Sequence, residues 1–521
     1  MTRYNLFSIV APLFLLGTTI TSCNGDLDVT PIDPNVTDPN EVLSQESTYL
    51  GLLAKCYSAL AVSSSDGPDS DPDIKGIDGG FGQYIRALFY MQELPTDEAV
   101  IGWNDQTVKD LHGLAWTSSD VFITAMYARI YYQISLCNEL IREAKAKNMT
   151  SDNMKKYIAE ARAIRALAYL HAIDIFGNVG FSSEDDPVNA TYQVPRIARA
   201  DLYTWLVSEV NDFMGDLGDA RTMAYGRIDK GFAKMLLAKL YLNAEVYTGG
   251  TVKAYDKCAD VCKEIMQLYP VLNPNYANLF LADNNNCTDE IIFAVQQDGI
   301  NIKSYGCTNF IIFAEAGGSM DTKKLLGISS GWGGIRCTPN LVNLYTTADK
   351  RNMFYTDGQT KDIDNIGDYT NGYPSIKFKN LNSDGSAAQA QGFVDTDFPL
   401  FRSADAYLMY AEAKMRAAGV TTSSAADVLA AFNAVHQRAG LDAVTSLSLD
   451  ELLNERGREL VWECWRRSDL VRFGKFTTAD YLWQWKGGVK EGKSVDSHFN
   501  LMPIPATDLN TNRNLKQNTG Y

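Results

Sequence analysis

The residues that could perform catalysis do not form a recognisable catalytic site in the sequence. None of the four histidines belongs to the H-E-x-x-H pattern of zinc hydrolases. Glycoside hydrolysis requires only two well-placed carboxyl groups, and the chain has 63 acidic residues, but no pair of them is distinguished by its position. We therefore expect no catalytic activity, and a surface glycosidase is the alternative among enzymes.

Two tryptophans stand in glycine-containing polar loops, where a large aromatic side chain is poorly placed to join the core. Trp103 follows Gly102 and precedes Asn104, and Trp332 lies in the segment SSGWGG. Binding residues concentrate in loops that a rigid scaffold holds in place. The two tryptophans are therefore candidates for ligand contacts, with packing at the rim of the core as the alternative interpretation.

A cysteine at the end of an apolar N-terminal stretch predicts an export signal with a lipid anchor. The apolar run from Leu6 to Leu16 is shorter than the roughly 20 residues of a membrane-spanning helix. Residues 1–22 have the features of a secretory signal peptide. The segment Ile20-Thr21-Ser22-Cys23 resembles a bacterial lipobox, in which the cysteine is acylated and becomes the first residue of the mature chain. Two or more acyl chains would hold the protein at a membrane.

The charge of the chain argues against a nucleic-acid partner. The formal net charge is −16, and no basic patch stands out. The densest basic cluster, WRRSDLVRFGK, contains Asp469 and follows Glu463 closely. We expect Glu463 to pair with Arg466 and Arg467 on one helix, which gives the cluster a structural role. Cys258 and Cys262 lack neighbours at metal-ligand spacing, and we expect both in the core.

The elements that must position these residues are predicted to be mainly α-helices. Ser119–Lys147 and Ser151–Phe176 form a predicted helical hairpin, and further helices are expected at Asp201–Leu217, Lys230–Tyr247, Val252–Tyr269, Ser403–Ala418, Ala425–Ala439 and Leu449–Trp465. The paired helices resemble tetratricopeptide-type repeats, although no regular 34-residue period is present. This pattern predicts a mainly α fold built on a helical-repeat scaffold.

The predicted domain organisation is a signal peptide, residues 1–22, followed by one body, residues 23–521. Within the body we expect a mainly helical part at 23–282, a loop-rich lobe at 283–400, a second helical part at 401–475 and an irregular tail at 476–521. The lobe contains short β-like runs at Glu290–Val295, Asn309–Phe313 and Ser375–Lys379, separated by Gly, Asn and Asp clusters.

Long motifs along the whole chain resemble the SusD/RagB family, which comprises glycan-capturing surface lipoproteins of Bacteroidetes. The matching segments include ELPTDEA, EARAIRALAYLHAIDIFGNV, SGWGGIRCTPNLVNLY, RSADAYLMYAEA, RGRELVWECWRRSDLVRFGKF and LMPIPATDLNTNRNLKQNTGY. The resemblance implies a non-catalytic, tetratricopeptide-like protein that is lipid-anchored in the outer membrane and faces the cell exterior. It also implies a partner, a SusC-like TonB-dependent barrel that the lipoprotein covers as a lid.

The resemblance also implies individual binding residues. Starch-binding members of the family hold sugar on an arc of aromatic rings flanked by a few polar groups. The matching ring positions are Trp103, Tyr305 and Trp332, and the matching polar positions are Asp78, Arg86, Asn104 and Gln106. The expected ligand is starch or a related α-glucan, and another glycan is the alternative. A protein-binding helical-repeat scaffold is a more distant alternative.

A calcium ion is a further expectation that rests on this resemblance. Asp395 and Asp397 alternate in VDTDFP, and Asn285 lies in ADNNN. Oxygen-rich loops of this kind suit calcium, although solvated loops would have the same composition. The expected role of the ion is structural, and no other cofactor is expected.

Overall fold

The structure is a computed structural model that describes residues 39–521, so the predicted signal peptide and Cys23 lie outside the described residues. Helices form most of the regular structure. They are α1 Pro39–Val42, α2 Glu46–Ser58, α3 Tyr84–Gln92, α4 Gln106–His112, α5 Val121–Ala146, α6 Asp152–Ile175, α7 Arg199–Phe213, α8 Lys230–Leu242, α9 Ala244–Tyr247, α10 Tyr255–Leu268, α11 Cys307–Glu315, α12 Thr322–Leu326, α13 Pro339–Val342, α14 Ser403–Ala417, α15 Ala426–Arg438, α16 Leu449–Leu460, α17 Arg466–Arg472 and α18 Ala506–Thr511.

The strands are short and form antiparallel pairs. They are β1 Val100–Ile101, β2 Val179–Gly180, β3 Arg196–Ile197, β4 Ile291–Val295, β5 Ile335–Arg336, β6 Phe398–Arg402, β7 Thr422–Ser423 and β8 Leu447–Ser448. The pairs are β1 with β5, β2 with β3, β4 with β6, and β7 with β8. The pairs β1–β5 and β4–β6 join segments that are distant in sequence.

The helices pack mainly as hairpins, which confirms the prediction of a mainly α fold. The side chain of Asp120 accepts hydrogen bonds from two N–H groups at the start of α5, and Ser151 caps α6 in the same way. The alanines along α6 are buried and allow close packing against α5 and α7. Helix α10 packs against α8 and α14, and α14 to α16 surround a second, smaller core.

The predicted strand at Asn309–Phe313 is wrong, because this segment lies within helix α11. Every residue of α11 is buried. A short apolar run is compatible with either a buried strand or a buried helix, so its periodicity could not separate the two. The run at Ser375–Lys379 also forms no strand and contributes a single bridge, between Ser375 and Phe354. The predicted strand at Glu290–Val295 corresponds to β4.

The predicted helix Leu449–Trp465 ends early, at Leu460. Trp462 and Cys464 adopt positive φ angles of 61° and 66°, which a helix cannot accommodate. The carboxylates of Glu98 and Glu93 accept hydrogen bonds from the N–H groups of Trp462 and Trp465, each at 3.0 Å. The turn is therefore stabilised by the motif ELPTDEA, which is remote in sequence.

The basic cluster near residue 466 is structural, as expected, but its predicted partner is wrong. Arg466 forms a bidentate ion pair with Asp97, in which Nε and Nη2 each donate to a carboxylate oxygen at 2.7 Å. Arg467 lies 3.5 Å from the carboxylate of Asp174. Glu463 lies in the turn between α16 and α17 and pairs with Lys377 and Arg402, so it does not share a helical face with the two arginines.

A buried guanidinium group joins the loop-rich lobe to the helices. Arg402 contacts carboxylate oxygens of Glu290 at 2.6 Å, Glu459 at 2.9 Å and Glu463 at 2.7 Å. Burial alone would raise the pKa of Glu459, but Arg438, Arg402 and Arg351 together lower that pKa to about 2. Because the ordinary value is 4.5, this carboxylate stabilises the fold fully above about pH 4.5. The stabilisation is lost as the pH falls through about 2.

The eight cysteines within the described residues are buried and unpaired, which confirms the core positions predicted for Cys258 and Cys262. None of the helices in residues 39–521 is both long enough and apolar enough to cross a membrane.

We expect Arg402→Met to lower the free energy of unfolding by about 3–5 kcal/mol, because it leaves buried carboxylates without their cation. The matched control is Arg221→Met, since Arg221 makes a surface ion pair with Asp289 at 3.0 Å. This control should change stability by less than about 1 kcal/mol. Urea unfolding at pH 7 measures both variants, and equal losses in the two would contradict the structural role of Arg402.

Candidate functional site

Three aromatic rings form a row where the loop-rich lobe meets the helical part of the chain. The ring centroid of Trp332 lies 6.3 Å from that of Tyr305 and 6.5 Å from that of Trp103. Neighbouring ring planes are inclined by 61° and 52°, so the row is curved rather than flat. All three side chains are half-buried. The structure therefore brings together the three ring positions that the sequence predicted.

Helix α11 supports this row from below. Phe313 packs against Trp332 with ring centroids 5.3 Å apart, and Phe310 packs against Trp103 at 6.3 Å. Tyr305 stands two residues before the first residue of α11, which places its ring beside the same helix. The apolar run that resembled a strand is thus the platform of the candidate site.

The glycines around Trp332 are needed for this packing. The backbone N–H of Trp332 donates to the carbonyl of Phe313 at 2.7 Å, which fixes the loop along α11. A Cβ atom on Gly334 would lie 2.6 Å from the ring of Trp103. The indole N–H of Trp103 donates in turn to the carbonyl oxygen of Trp332 at 3.3 Å. The GWGG segment therefore both presents one ring and makes room for the next.

Arg86, on α3, is buried beneath the row. Its guanidinium carbon lies 5.6 Å from the ring centroid of Trp332 and 5.9 Å from that of Trp103. Its Nη1 donates to the carbonyls of Gly80 and Tyr305 at 2.7 and 2.8 Å. Within the described residues it forms no ion pair, and its Nη2 makes no hydrogen bond. The site therefore contains a positive charge with a donor still available to a ligand.

The other predicted polar residues are exposed side chains that already have hydrogen-bond partners within the protein. Asp78 is exposed, and its carboxylate accepts a hydrogen bond from the N–H of Gly80 at 2.6 Å. Asn104, next to Trp103, accepts from Lys109 at 2.7 Å. Gln106 begins α4 and donates to Asp110 at 2.7 Å. All three side chains remain open to solvent, and a role in binding stays a prediction.

Two residues of the site were missed by the sequence analysis. Phe393 extends the row, with its ring centroid 5.6 Å from that of Tyr305. It follows Gly392 in a polar loop, the same signal that singled out Trp103. Asp69 accepts the hydroxyl hydrogen bond of Tyr305 at 2.9 Å, and this bond raises the pKa of that hydroxyl. No sequence signal pointed to Asp69.

The residues predicted to bind calcium lie together. Asn285, Asp395 and Asp397 line one open cavity of ≈ 360 Å³, together with Asp298. Among the residues that the structure describes, no group of three or more His, Cys, Asp or Glu residues is arranged to hold a metal ion. A cation here would therefore depend on amide and carbonyl oxygens as well as on carboxylates.

The carboxylates of Asp395 and Asp397 already accept hydrogen bonds, but neither forms an ion pair within the described residues. Asp397 accepts from the N–H of Gln297 at 2.7 Å and from the hydroxyl of Tyr225 at 2.8 Å. Burial raises the pKa of Asp397 to about 6 against these bonds, and the charges of Asp395 and Asp298 add to the rise. A cation would remove this cost, and calcium binding at this cavity stays a prediction.

Two segments match the sequence motifs of a catalytic serine and of a phosphate-binding loop, but their structures do not fit these functions. Residues 327–331 read G-x-S-x-G, yet the hydroxyl of Ser329 donates to the carbonyl of Gln391 at 3.2 Å and has no histidine partner in the described chain. Residues 487–494 read G-x-x-x-x-G-K-S, but no α-helix follows to bind a phosphate at its N-terminus. Neither segment supports catalysis.

Known proteins with similar sequences and folds identify the family. The family model described as "SusD family" matches residues 350–521. Starch-binding protein SusD of Bacteroides thetaiotaomicron is 33% identical to this chain over the full length of both proteins. The chain belongs to the SusD family. This confirms the resemblance found in the motifs.

Solved structures of SusD-like proteins share the fold. A SusD superfamily protein from Parabacteroides distasonis superposes with a TM-score of 0.71 at 23% identity, covering 91% of this chain and 99% of the other. Surface glycan-binding protein A of Bacteroides thetaiotaomicron, solved with laminarihexaose, gives 0.70 at 18% identity with the same coverage. The SusD-family homologues are carbohydrate-binding, non-catalytic proteins, which confirms the expectation that this chain is not an enzyme.

We expect chelation of calcium to lower the melting temperature without abolishing the fold. The stabilisation by added calcium should grow as the pH rises through about 6, because Asp397 must lose its proton to bind a cation. Differential scanning calorimetry between pH 5 and 8 measures this, and Asp395→Asn is the variant that should not respond. Identical melting curves with and without chelator, together with no metal by elemental analysis, would exclude the site.

Proposed function

We propose that this protein captures an oligosaccharide or polysaccharide at the cell surface, with starch or a related α-glucan as its ligand. The observation that carries the proposal is the curved row of Tyr305, Trp332 and Trp103 over the unpaired guanidinium of Arg86. The identity of 33% to a starch-binding protein over the whole chain supports the same ligand.

The chemistry of the row suits a sugar chain. The C–H face of a pyranose ring is apolar and packs on an aromatic plane, while its hydroxyl groups need placed donors and acceptors. The three rings offer the apolar faces, and Arg86 Nη2, Asp78 and Gln106 offer polar groups around them. An α-glucan coils, so successive sugars meet a curved row of rings better than a flat surface.

A second candidate is the same role for a β-glucan. A protein with the same fold was solved with laminarihexaose, and this supports the second candidate. The direct comparison is a titration with maltoheptaose and with laminarihexaose under the same conditions. Tighter binding of laminarihexaose would replace the α-glucan with a β-glucan and would leave the ring row as the site.

The proposed function includes delivery to a transporter. Acylation of Cys23 would tether the protein to the outer membrane, facing the cell exterior. A SusC-like TonB-dependent barrel beneath the protein would then receive the captured glycan. The lipobox and the family motifs support this arrangement, and co-purification of a barrel from solubilised outer membranes would test it.

We expect Trp332→Ala to weaken maltoheptaose binding by more than about tenfold, because it removes the central ring of the row. Trp332 is half-buried against Phe313, so the free energy of unfolding should also fall, by about 1–3 kcal/mol. A fully buried tryptophan would cost roughly 3–5 kcal/mol. Isothermal titration calorimetry and thermal unfolding give the two quantities.

The matched control for this variant is Trp205→Ala. Trp205 is also half-buried, and it packs on Phe181 and Tyr169 with centroids 4.8 and 5.3 Å apart, away from the row. It should lose similar stability and keep full affinity. Retained binding in Trp332→Ala, or equal loss of binding in both variants, would contradict the proposed site.

We expect Cys23→Ala to release the protein from the outer membrane, because no acyl chains can then be attached. The predicted role of Cys23 is only to carry the anchor, so the free energy of unfolding should change by less than about 0.5 kcal/mol. Cell fractionation with immunoblotting measures the release. A variant that still fractionates with the outer membrane would refute the lipid anchor at this residue.

A further inference from the structure

A second cavity lies next to Trp103. Its volume is ≈ 480 Å³, within the roughly 300–1,000 Å³ of small-molecule sites. Its walls come from the Trp103 loop, from α4 and from two turns, residues 365–367 and 485–488. Trp103 therefore belongs both to the ring row and to the wall of this cavity.

The far wall contains a second tryptophan, Trp485, in a strained backbone conformation. Its φ of 70° and ψ of 4° lie in the left-handed region, which is costly for a residue other than glycine. Strain of this kind persists only where the surroundings impose it, and it concentrates at functional sites. The indole N–H of Trp485 donates to the carbonyl of Ile363 at 2.8 Å, which fixes the ring.

The turn that carries Trp485 is anchored from inside. The ammonium group of the next residue, Lys486, is fully buried and donates to the carbonyls of Thr478 and Tyr481 at 2.7 and 2.8 Å. Trp483, two residues before Trp485, is fully buried, whereas Trp485 is half-exposed. The turn thus holds one tryptophan in the core and presents the other at the cavity.

Polar groups with free hydrogen-bonding capacity complete the cavity. Asn104 and Asn365 use their side-chain oxygens within the protein, and their NH₂ groups make no hydrogen bond among the described residues. His112 is 2% exposed, its Nδ1 donates to the carbonyl of Leu94 at 3.2 Å, and its Nε2 has no partner within the described residues.

His112 adds no charge to the wall of the cavity. Burial lowers the pKa of His112 to about 4, against the carbonyls of Leu94 and Ala99, which favour the protonated ring. The ring is therefore neutral at pH 7.

We propose that this cavity is a second sugar subsite, which holds a further neutral pyranose unit of the captured chain against Trp103 and Trp485. The inference rests on the proposed function and extends its site beyond the ring row. The two indoles offer apolar faces, and the amide groups of Asn104 and Asn365 offer donors. A neutral sugar matches these groups, because its C–H face can pack on an indole and its hydroxyl oxygens can accept from the amides.

The test compares short and long ligands on the purified protein. Maltotriose can occupy the ring row alone, whereas maltoheptaose is long enough to reach the cavity as well. We expect Trp485→Ala to weaken maltoheptaose binding about three- to tenfold, the range of one lost aromatic contact. Maltotriose affinity should stay unchanged, and so should both affinities in the Trp205→Ala control.

A second variant separates ligand contact from a structural effect. Trp485→Ala also removes the hydrogen bond to Ile363, which could displace the turn at residues 365–367. Asn365→Asp keeps that bond and also keeps the oxygen that accepts from the N–H of Gly367, while it removes the proposed donor. Its effect on maltoheptaose should therefore be in the same direction and about two- to fivefold. Thermal unfolding shows whether each variant remains folded.

The outcomes distinguish this inference from the proposed function. If both variants bind maltoheptaose like the unaltered protein while Trp332→Ala does not, the ring row stands and the subsite is refuted. If Trp485→Ala lowers the affinities for maltotriose and maltoheptaose equally, the length dependence is absent and the subsite is refuted as well. If the unaltered protein binds neither maltoheptaose nor laminarihexaose, the proposed function fails and the subsite fails with it.

Discussion

The buried guanidinium group of Arg402 joins the loop-rich lobe to the helical scaffold. Arg402 ends β6 and directly precedes α14. Its partner Glu290 directly precedes β4, Glu459 lies in α16, and Glu463 lies in the turn after α16. Several charges can be buried together only when each finds a partner of opposite sign. This requirement fixes where the lobe sits on the helices.

Once the lobe is fixed, the candidate site follows from short-range packing. Helix α11 lies in the lobe, and its two phenylalanines support Trp103 and Trp332. Arg86 comes from α3, in the helical part of the chain, and donates to the carbonyl of Tyr305 in the lobe. The site is thus assembled across the junction between lobe and scaffold, and neither part of the chain contains it alone.

Much of the fold could be predicted because the helices carry their own periodicity. The ends of α5 and α6 were predicted to within about two residues. Differences of this size are normal between methods of assigning helix ends. The break after Leu460 could not be predicted, because Glu93 and Glu98 stabilise it from more than 360 residues away in sequence. Helix α11 was misjudged because a fully buried segment has no polar face to reveal its period.

Some residues of the candidate site could be predicted from the sequence, and others could not. Trp103, Tyr305 and Trp332 were found because glycine-flanked aromatics and family motifs mark them in the sequence. Phe393 also follows a glycine in a polar loop, but the sequence analysis did not select it. The cavity beside Trp103 could be found only from the structure, because Trp485 and Asn365 are distant from Trp103 in sequence. Residues that come together only in the folded protein leave no local pattern in the sequence.

The central claim is that a glycan lies along the ring row, and a crystal structure of the protein soaked with maltoheptaose tests it most directly. The account predicts sugar rings against Tyr305, Trp332 and Trp103, with a hydroxyl oxygen within hydrogen-bonding distance of Arg86 Nη2. Sugar bound elsewhere on the protein, with the row empty, would contradict the account.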